Sequence, residues 1–371
     1  MPATRTLVPD VLAPTGPLCA PPSLLTTAAA WAASADRERR LHPDVVRAVT
    51  EVGFARHFVV AHGDSGAGTF TELLAAAAAV ADRGCASAAW CAALWAVHGR
   101  YAAFLPEEGR HEIWADSPDV RISAGIQPSA ATAVPVPDGW RVQGEWGCVS
   151  GVDVADWVLL AATDGGGAGP RVFAVPRADV VIHDTWRSSG LRGTGSNTVT
   201  VDAVSVPHHR TFPLAELLHG RRGTLRSGCC AAPAHLGGVL AFCAPALGAA
   251  RRALRLWTES DPEQATGAGQ ETFTRTSAEI DTAHLVLEAA ARRADVGPMD
   301  ERSVAHNRRD AAFAADLLVT AVERLFRAAG SRAHHEDSEM QRCRRDVHTV
   351  ASHAALRFSS ASRTYAAQFH R

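Results

Sequence analysis

The sequence contains no lysine: all 37 basic residues among its 371 are arginine. A Walker-type phosphate loop needs a lysine, and so does a Schiff-base enzyme. P-loop ATPase, kinase and pyridoxal-phosphate readings therefore drop out. Long apolar runs are also missing, and none approaches the roughly 20 residues that span a bilayer. Met1 to Pro22 lacks a basic start followed by an apolar stretch, so it does not read as a secretory signal. A soluble, cytoplasmic protein is expected, with no membrane partner. The net charge of −2 gives no global attraction to nucleic acid. None of the eight cysteines (Cys19, Cys85, Cys91, Cys148, Cys229, Cys230, Cys243 and Cys343) forms a CxxC pair. Several sit among small apolar residues, as buried thiols do, so neither a disulfide framework nor a metal site is expected. His208-His209 and His334-His335 read as exposed loop pairs without companion ligands.

What is present is core-forming material. Hydrophobic residues make up 47% and charged residues 20%, enough for one large multi-layer unit or two to three subdomains. The pattern predicts an α+β chain, mainly α, in three parts. Residues 1–118 form an N-terminal helical domain. It has an Ala-rich helix over Leu24 to Ala33 and a second opened by His42-Pro43 and carrying Val45, Val46, Val49 and Val52. Two more cover Thr69 to Ala81 and Ala86 to Phe104. Residues 119–218 form a central β-barrel-like domain. Its strands are read at Trp140 to Val142, Trp157 to Ala161, Val172 to Val175 and Thr198 to Val201. Asp164 to Pro170 (DGGGAGP) is a hairpin connection; no helix comes after it to make a phosphate cradle. Residues 219–371 form a C-terminal four-helix bundle over Leu236 to Glu259, Thr272 to Ala294, Ser303 to Ala329 and Ser338 to Phe369.

Four segments bear a more specific message. They are RLHPDVVRAVTEVGFARHFVV (Arg40 to Val60), ASAAWCAALWAVHGRYAAFLPEEGRHEIW (Ala86 to Trp114), GWRVQGEWGCVSGVDVADWVLLAA (Gly139 to Ala162) with DTWRSSGLRGTGSNTVTVDAVSVPHHR (Asp184 to Arg210), and FRAAGSRAHHEDSEMQRCRRDVHTVASHAALRF (Phe326 to Phe358). In content and order the chain resembles the acyl-CoA dehydrogenase-like superfamily. A true dehydrogenase of that kind needs a glutamate at the end of the bundle or early in its first helix. This chain reads HTVASHAALRF and RSGCCAAPAH there, without glutamate. GLRGTGS together with RDVHTVASH is instead similar to the two-component flavin hydroxylases; the amino-sugar N-oxygenases share much of the pattern.

The resemblance implies a reduced-flavin-dependent monooxygenase. Reduced FMN (the preferred form) or FAD would arrive from a separate NAD(P)H flavin reductase. It would meet dioxygen to give a C4a-hydroperoxyflavin, and a small aromatic or polycyclic substrate, or an amine nitrogen, would be oxygenated. A homotetramer is implied. An acyl-CoA dehydrogenase or oxidase, and a non-redox ligand-binding or cyclising relative, are the rival readings.

The same resemblance suggests site residues. Ser150, followed by Gly151, would meet flavin N5; where the family often has a second small polar residue before it, this chain has Val149. Trp146 would wall the ring. Arg192, Thr194, Gly195 and Ser196 would contact the flavin, glycines allowing close backbone approach. His98, Ser129 and Trp95 would face the substrate. His353 would handle protons, as an imidazole near neutral pKa does. Without the resemblance, Ser150 is an ordinary strand-end serine, Trp146 barrel core, GTGS a turn and His98 a core histidine. Arg342, Asp346 and His353 are spaced to share one helix face, the first two as an ion pair. Ala89, Trp90, Ala93 and Trp95 suggest an apolar cavity.

Overall fold

The computed structural model describes residues 17–59, 68–127, 130–165, 167, 169–220, 232–260, 269–296 and 299–369. Ser129, Cys229 and Cys230 lie outside the described residues.

The N-terminal helices start where local chemistry satisfies their free N–H groups. α1 (Pro22–Glu38) and α2 (Pro43–Val52) each carry proline at the first position, where no N–H is needed. The His42 ring accepts a hydrogen bond from the Asp44 N–H. α3 (Phe70–Asp82) has a reciprocal cap, with Thr69 and Glu72 each accepting from the other's backbone. α4 (Ala86–Ala102) is buried along its entire length. Its alanines let neighbours approach from every side. The short α5 (Glu107–Ile113) leads into the sheet.

Eight strands come next among the described residues: β1 (Ile122–Gly125), β2 (Thr132–Val136), β3 (Gly139–Val149), β4 (Trp157–Asp164), β5 (Arg171–Pro176), β6 (Val181–His183), β7 (Asn197–Pro207) and β8 (Thr211–Pro213). They pair in the order β6-β7-β3-β2-β4-β5-β8, with β1 parallel beside β4. The sheet curls but does not close. Its inner face (Val142, Trp146, Val158, Leu160, Phe173, Val199) forms a core of its own. The outer residues Leu159, Val172, Ala174 and Phe212 join the helical core. β4 is therefore buried on both faces, which explains its unbroken apolar run. β4 and β5 are the expected hairpin. The periodicity does not reveal β1, β2, β6 and β8, which are short or, in β2, interrupted by Pro135.

After α6 (Leu214–His219) come the long helices α7 (Ala234–Ser260), α8 (Gln270–Val296) and α9 (Glu301–Ala328). The expected fourth helix over Ser338 to Phe369 is broken. It runs as α10 (Glu339–Ala351), a 3-10 turn (Ala354–Leu356) and α11 (Phe358–Ala366). His353 is extended (ψ 135°) and its Nδ1 accepts from the Ala355 N–H. This local side-chain cap competes with the helical ladder and ends it. Arg308 then anchors the last helix through Thr364 and Ser360.

α7 packs on α3 with no Cβ at Gly248. A Cβ there would lie 2.2 Å from the Ala78 carbonyl oxygen and 2.6 Å from Ala81 Cβ. With room to spare, alanine would stabilise this helix interior by about 0.5–1 kcal/mol. The backbone contact reverses the sign. Gly248→Ala is expected to destabilise by about 1–3 kcal/mol, seen as a lower urea midpoint at unchanged m-value. An unchanged midpoint would show that α3 and α7 separate without cost.

Candidate active site

A cavity of about 660 Å³ lies where α4, α7, the end of β3 and the α10 terminus meet. α4 contributes Trp90, Leu94, His98 and Tyr101, spaced about one turn apart on one face. α7 contributes His235, Gly238, Val239 and Phe242 beside them. Exposed residues Cys148, Ser189, Ser352 and Ala354 form the mouth, and buried His98, Tyr101 and Gly238 the deep end. No aspartate or glutamate is among the described lining residues.

The β3 terminus delivers Ser150. The β3–β7 register shifts between Trp146 and Val149, and Cys148 adopts φ 58°. Such a bulge bends a strand and re-aims the side chains after it. The Ser150 hydroxyl is bonded to the Ser196 hydroxyl at 2.7 Å and accepts from the Trp90 indole N–H at 3.0 Å. The Ser196 hydroxyl in turn lies 2.7 Å from that of Thr194, which donates to the Leu191 carbonyl at 2.9 Å. Since each hydroxyl has one proton and a carbonyl only accepts, every step has a direction. Thr194 donates to Leu191, Ser196 donates to Thr194, and Ser150 donates to Ser196.

Two cavity histidines also have fixed tautomers. His98 Nδ1 donates to the Ile122 carbonyl at 2.9 Å, leaving Nε2 as an acceptor. Burial pushes this imidazole down to about 4. His353 Nδ1 accepts from a backbone N–H, so its proton is on Nε2. Its ring stacks on Phe242 at 3.9 Å and meets the edge of Trp90, and burial holds it too at about 4. At neutral pH these two rings thus offer the cavity one imidazole acceptor and one imidazole donor, both uncharged, beside His235 and His348, which also line it.

Ser150, Ser196, His98 and His353 come together around this space. Other expected site residues do not line it. Trp146 sits in the sheet's inner core and its indole donates to the Ala161 carbonyl; Trp90, which the sequence assigns only to an apolar wall, takes the aromatic place instead. The strand alternation that points Trp146 inward is the physical reason. Trp95 lies behind the wall, pressed on Gly151, where a Cβ would meet its Nε1 at 2.9 Å. Arg192 turns away to donate to the Asp36 carbonyl. The glycines of the 192–196 turn serve packing: a Cβ on Gly193 would meet Ala35 Cβ at 3.0 Å, and one on Gly195 (φ 51°) would meet the Asp153 carboxylate. Thr194 acts through Ser196.

The helix-face expectation for Arg342, Asp346 and His353 is also corrected. His353 lies beyond the helix end, and Arg342 pairs with Glu339 at 3.4 Å rather than with Asp346. Asp346 instead accepts from the Leu191 N–H at 2.6 Å, tying the bundle to the turn under the hydroxyl chain. Neither His209 nor His334 is a free loop side chain: His209 bonds Glu112 and His334 packs on Phe326.

These residues fit a flavin. Trp90 and Phe242, packed on each other at 5.2 Å, form an apolar wall that suits a flat ring laid beside it, and the hydroxyl at Ser150 suits the polar edge of one. Bound flavin would supply the oxygen-activating chemistry; the protein's groups would orient it and keep water away.

Burial pushes the Asp346 carboxyl up from 3.8 to about 6, opposed by the Leu191 N–H and reinforced by Asp36. The folded state therefore holds the proton more tightly than the unfolded chain. The stability this confers is full below about pH 4 and lost as pH rises through about 6. Asp346→Asn keeps the Leu191 bond but removes the titration. Urea titrations should show the wild-type advantage over this variant falling by about 2–3 kcal/mol between pH 4 and pH 6.5. A flat difference would mean that the carboxylate is well solvated.

Comparison with known proteins places this architecture. Residues 240–358 match the family model of the acyl-CoA dehydrogenase C-terminal domain. The flavin-dependent monooxygenase oxygenase subunit HsaA of Mycobacterium tuberculosis is 29% identical over 345 residues, covering 85% of this chain and 86% of that protein. The oxygenase component of the FADH2-dependent resorcinol hydroxylase of Rhizobium sp. is 28% identical over 326 residues, 79% of each. The structure of XiaF from Streptomyces sp., in complex with FADH2 and glycerol, superposes with a TM-score of 0.87 at 26% identity, covering 94% of this chain and 93% of that one. With its helix–sheet–bundle order, and a cavity wall of hydroxyls and imidazoles, the chain has the acyl-CoA dehydrogenase fold and is similar over most of its length to the oxygenase components of two-component flavin-dependent monooxygenases.

Proposed function

We propose that this protein is the oxygenase component of a two-component system, taking reduced flavin from a separate reductase and using dioxygen to hydroxylate a small phenolic or polycyclic aromatic substrate. The observation that carries the reading is the cavity wall: hydroxyls and imidazoles, with His98 and His353 held neutral by burial, and no carboxylate among its described lining residues. A dehydrogenase acting on a thioester needs a carboxylate base at that wall. An oxygenase needs a dry, shaped space with a hydrogen-bond acceptor for the substrate and a donor that carries no charge.

In this reading Ser150 and Ser196 face the flavin. His98 Nε2 accepts the proton of a substrate hydroxyl at the deep end, beside Leu94 and Tyr101. His353 Nε2–H, near the mouth and against Trp90, holds a donor ready on the flavin side. Because both rings are held at about 4, their protonation does not change from pH 8 to roughly pH 5.

A homotetramer built through the bundle is part of the proposal. Exposed Leu285 on α8 and Phe313 on α9 offer apolar surface for it. The cytoplasm is the proposed location; among the described residues no helix is long and apolar enough to cross a membrane.

Anaerobic mixing of the protein and reduced FMN or FAD with oxygenated buffer, with and without a phenol, is the direct test. Wild-type protein should delay flavin reoxidation and yield hydroxylated product. His98→Phe should lower product per flavin oxidised by about tenfold or more, the scale of one lost positioned hydrogen bond or general base. Reoxidation at the rate of buffer alone, without product, would end the reading.

A further inference from the structure

The direction of the hydroxyl chain has a consequence for which redox state of flavin the cavity accepts. We propose that Ser196 is a positioning residue that makes Ser150 a hydrogen-bond acceptor toward the cavity, so that the site selects reduced over oxidised flavin. This rests on the flavin reading of the cavity and goes beyond it by assigning a selectivity to Ser196.

The number of protons along the chain fixes its polarity. Thr194 has its hydroxyl proton on the Leu191 carbonyl, which also receives the Trp186 indole N–H at 2.9 Å. Thr194 Oγ1 can then only accept from Ser196, and Ser196 Oγ only from Ser150. The one proton of the Ser150 hydroxyl is thereby committed inside the wall. One of its lone pairs takes the Trp90 N–H. What it still presents to the cavity is a lone pair. The chain is buried, so no bulk water competes to reverse it. Its far end is anchored, since the Leu191 N–H is held by the Asp346 carboxylate.

A lone pair recognises a ligand atom that carries hydrogen. The central-ring nitrogen of a flavin carries hydrogen when reduced and is a bare acceptor when oxidised. With that nitrogen against Ser150, reduced flavin would complete a hydrogen bond there. Oxidised flavin sets one lone pair against another unless the whole chain reverses, which would leave the Leu191 carbonyl without its Thr194 donor. For a component that takes up reduced flavin and must release the oxidised form, this polarity lies in the useful direction.

The experiment is a pair of binding titrations: oxidised FMN followed by fluorescence, and photoreduced FMN under anaerobic conditions, repeated with FAD. The readout is the ratio of the two Kd values. Wild-type protein should favour the reduced form. Ser196→Ala frees the Ser150 proton to rotate into the cavity, and the preference should shrink by about fivefold or more, the worth of one hydrogen bond. Ser196→Cys, similar in size but a weak acceptor, should shift the ratio the same way and serves if the alanine variant does not fold. Trp90→Phe, which removes a bond to the same serine without freeing its proton, should change both affinities and keep the ratio. A wild-type ratio in both Ser196 variants, or no preference in the wild type, overturns the inference while leaving the flavin reading intact. Binding of neither form overturns both.

Discussion

The backbone of one residue, Leu191, holds the candidate site together. Its N–H is bound by the buried Asp346 carboxylate of the bundle. Its carbonyl gathers donors from Thr194 and Trp186. Through it a bundle helix, the turn 192–196 and the strand end at Ser150 become one object. Leu191 takes a left-handed conformation (φ 49°) to do this, an uncommon state for a branched side chain. Such a conformation persists where the surroundings over-determine it, and the hydrogen bonds that Leu191 accepts from Thr194 and Trp186 and donates to Asp346 do so.

The surrounding architecture exists to keep that object dry. α4 is buried along its whole length, and α7 and the sheet cover it. Burying charge is costly, and the deep part of the site limits that cost with neutral groups: hydroxyls, the Trp90 indole, and the His98 and His353 imidazoles whose backbone partners set their tautomers. The buried Asp346 carboxylate near the cavity stands behind the wall, bonded to a backbone N–H rather than aimed at a ligand. That distribution distinguishes an oxygen-handling cavity from one built to remove a proton from carbon.

Much of this was readable from residues in order. The helix starts at His42-Pro43 and Thr69 come from capping chemistry within three or four residues. The helix–sheet–bundle order comes from periodicity changing twice along the chain. Ser150, Ser196, His98 and His353 were legible through motif resemblance, and all four border the cavity. Ser129, equally expected there, lies outside the described residues. Trp146, Trp95 and Arg192 mislead because their neighbourhoods in sequence match a binding motif while their side chains point elsewhere. On a strand a one-residue difference reverses the face, and on α4 the spacing from Trp90 to Trp95 is not a whole number of turns, so the two indoles lie differently with respect to the cavity.

The sequence by itself determined the class of fold, the absence of lysine-dependent chemistry and the missing glutamate base, because these depend on composition and on local periodicity. Tertiary structure alone decided the rest. The partner of Asp346 and the direction of the hydroxyl chain depend on contacts between residues up to 155 positions apart. A hydroxyl's proton goes to whichever acceptor the fold places beside it, and no local pattern of residues specifies that.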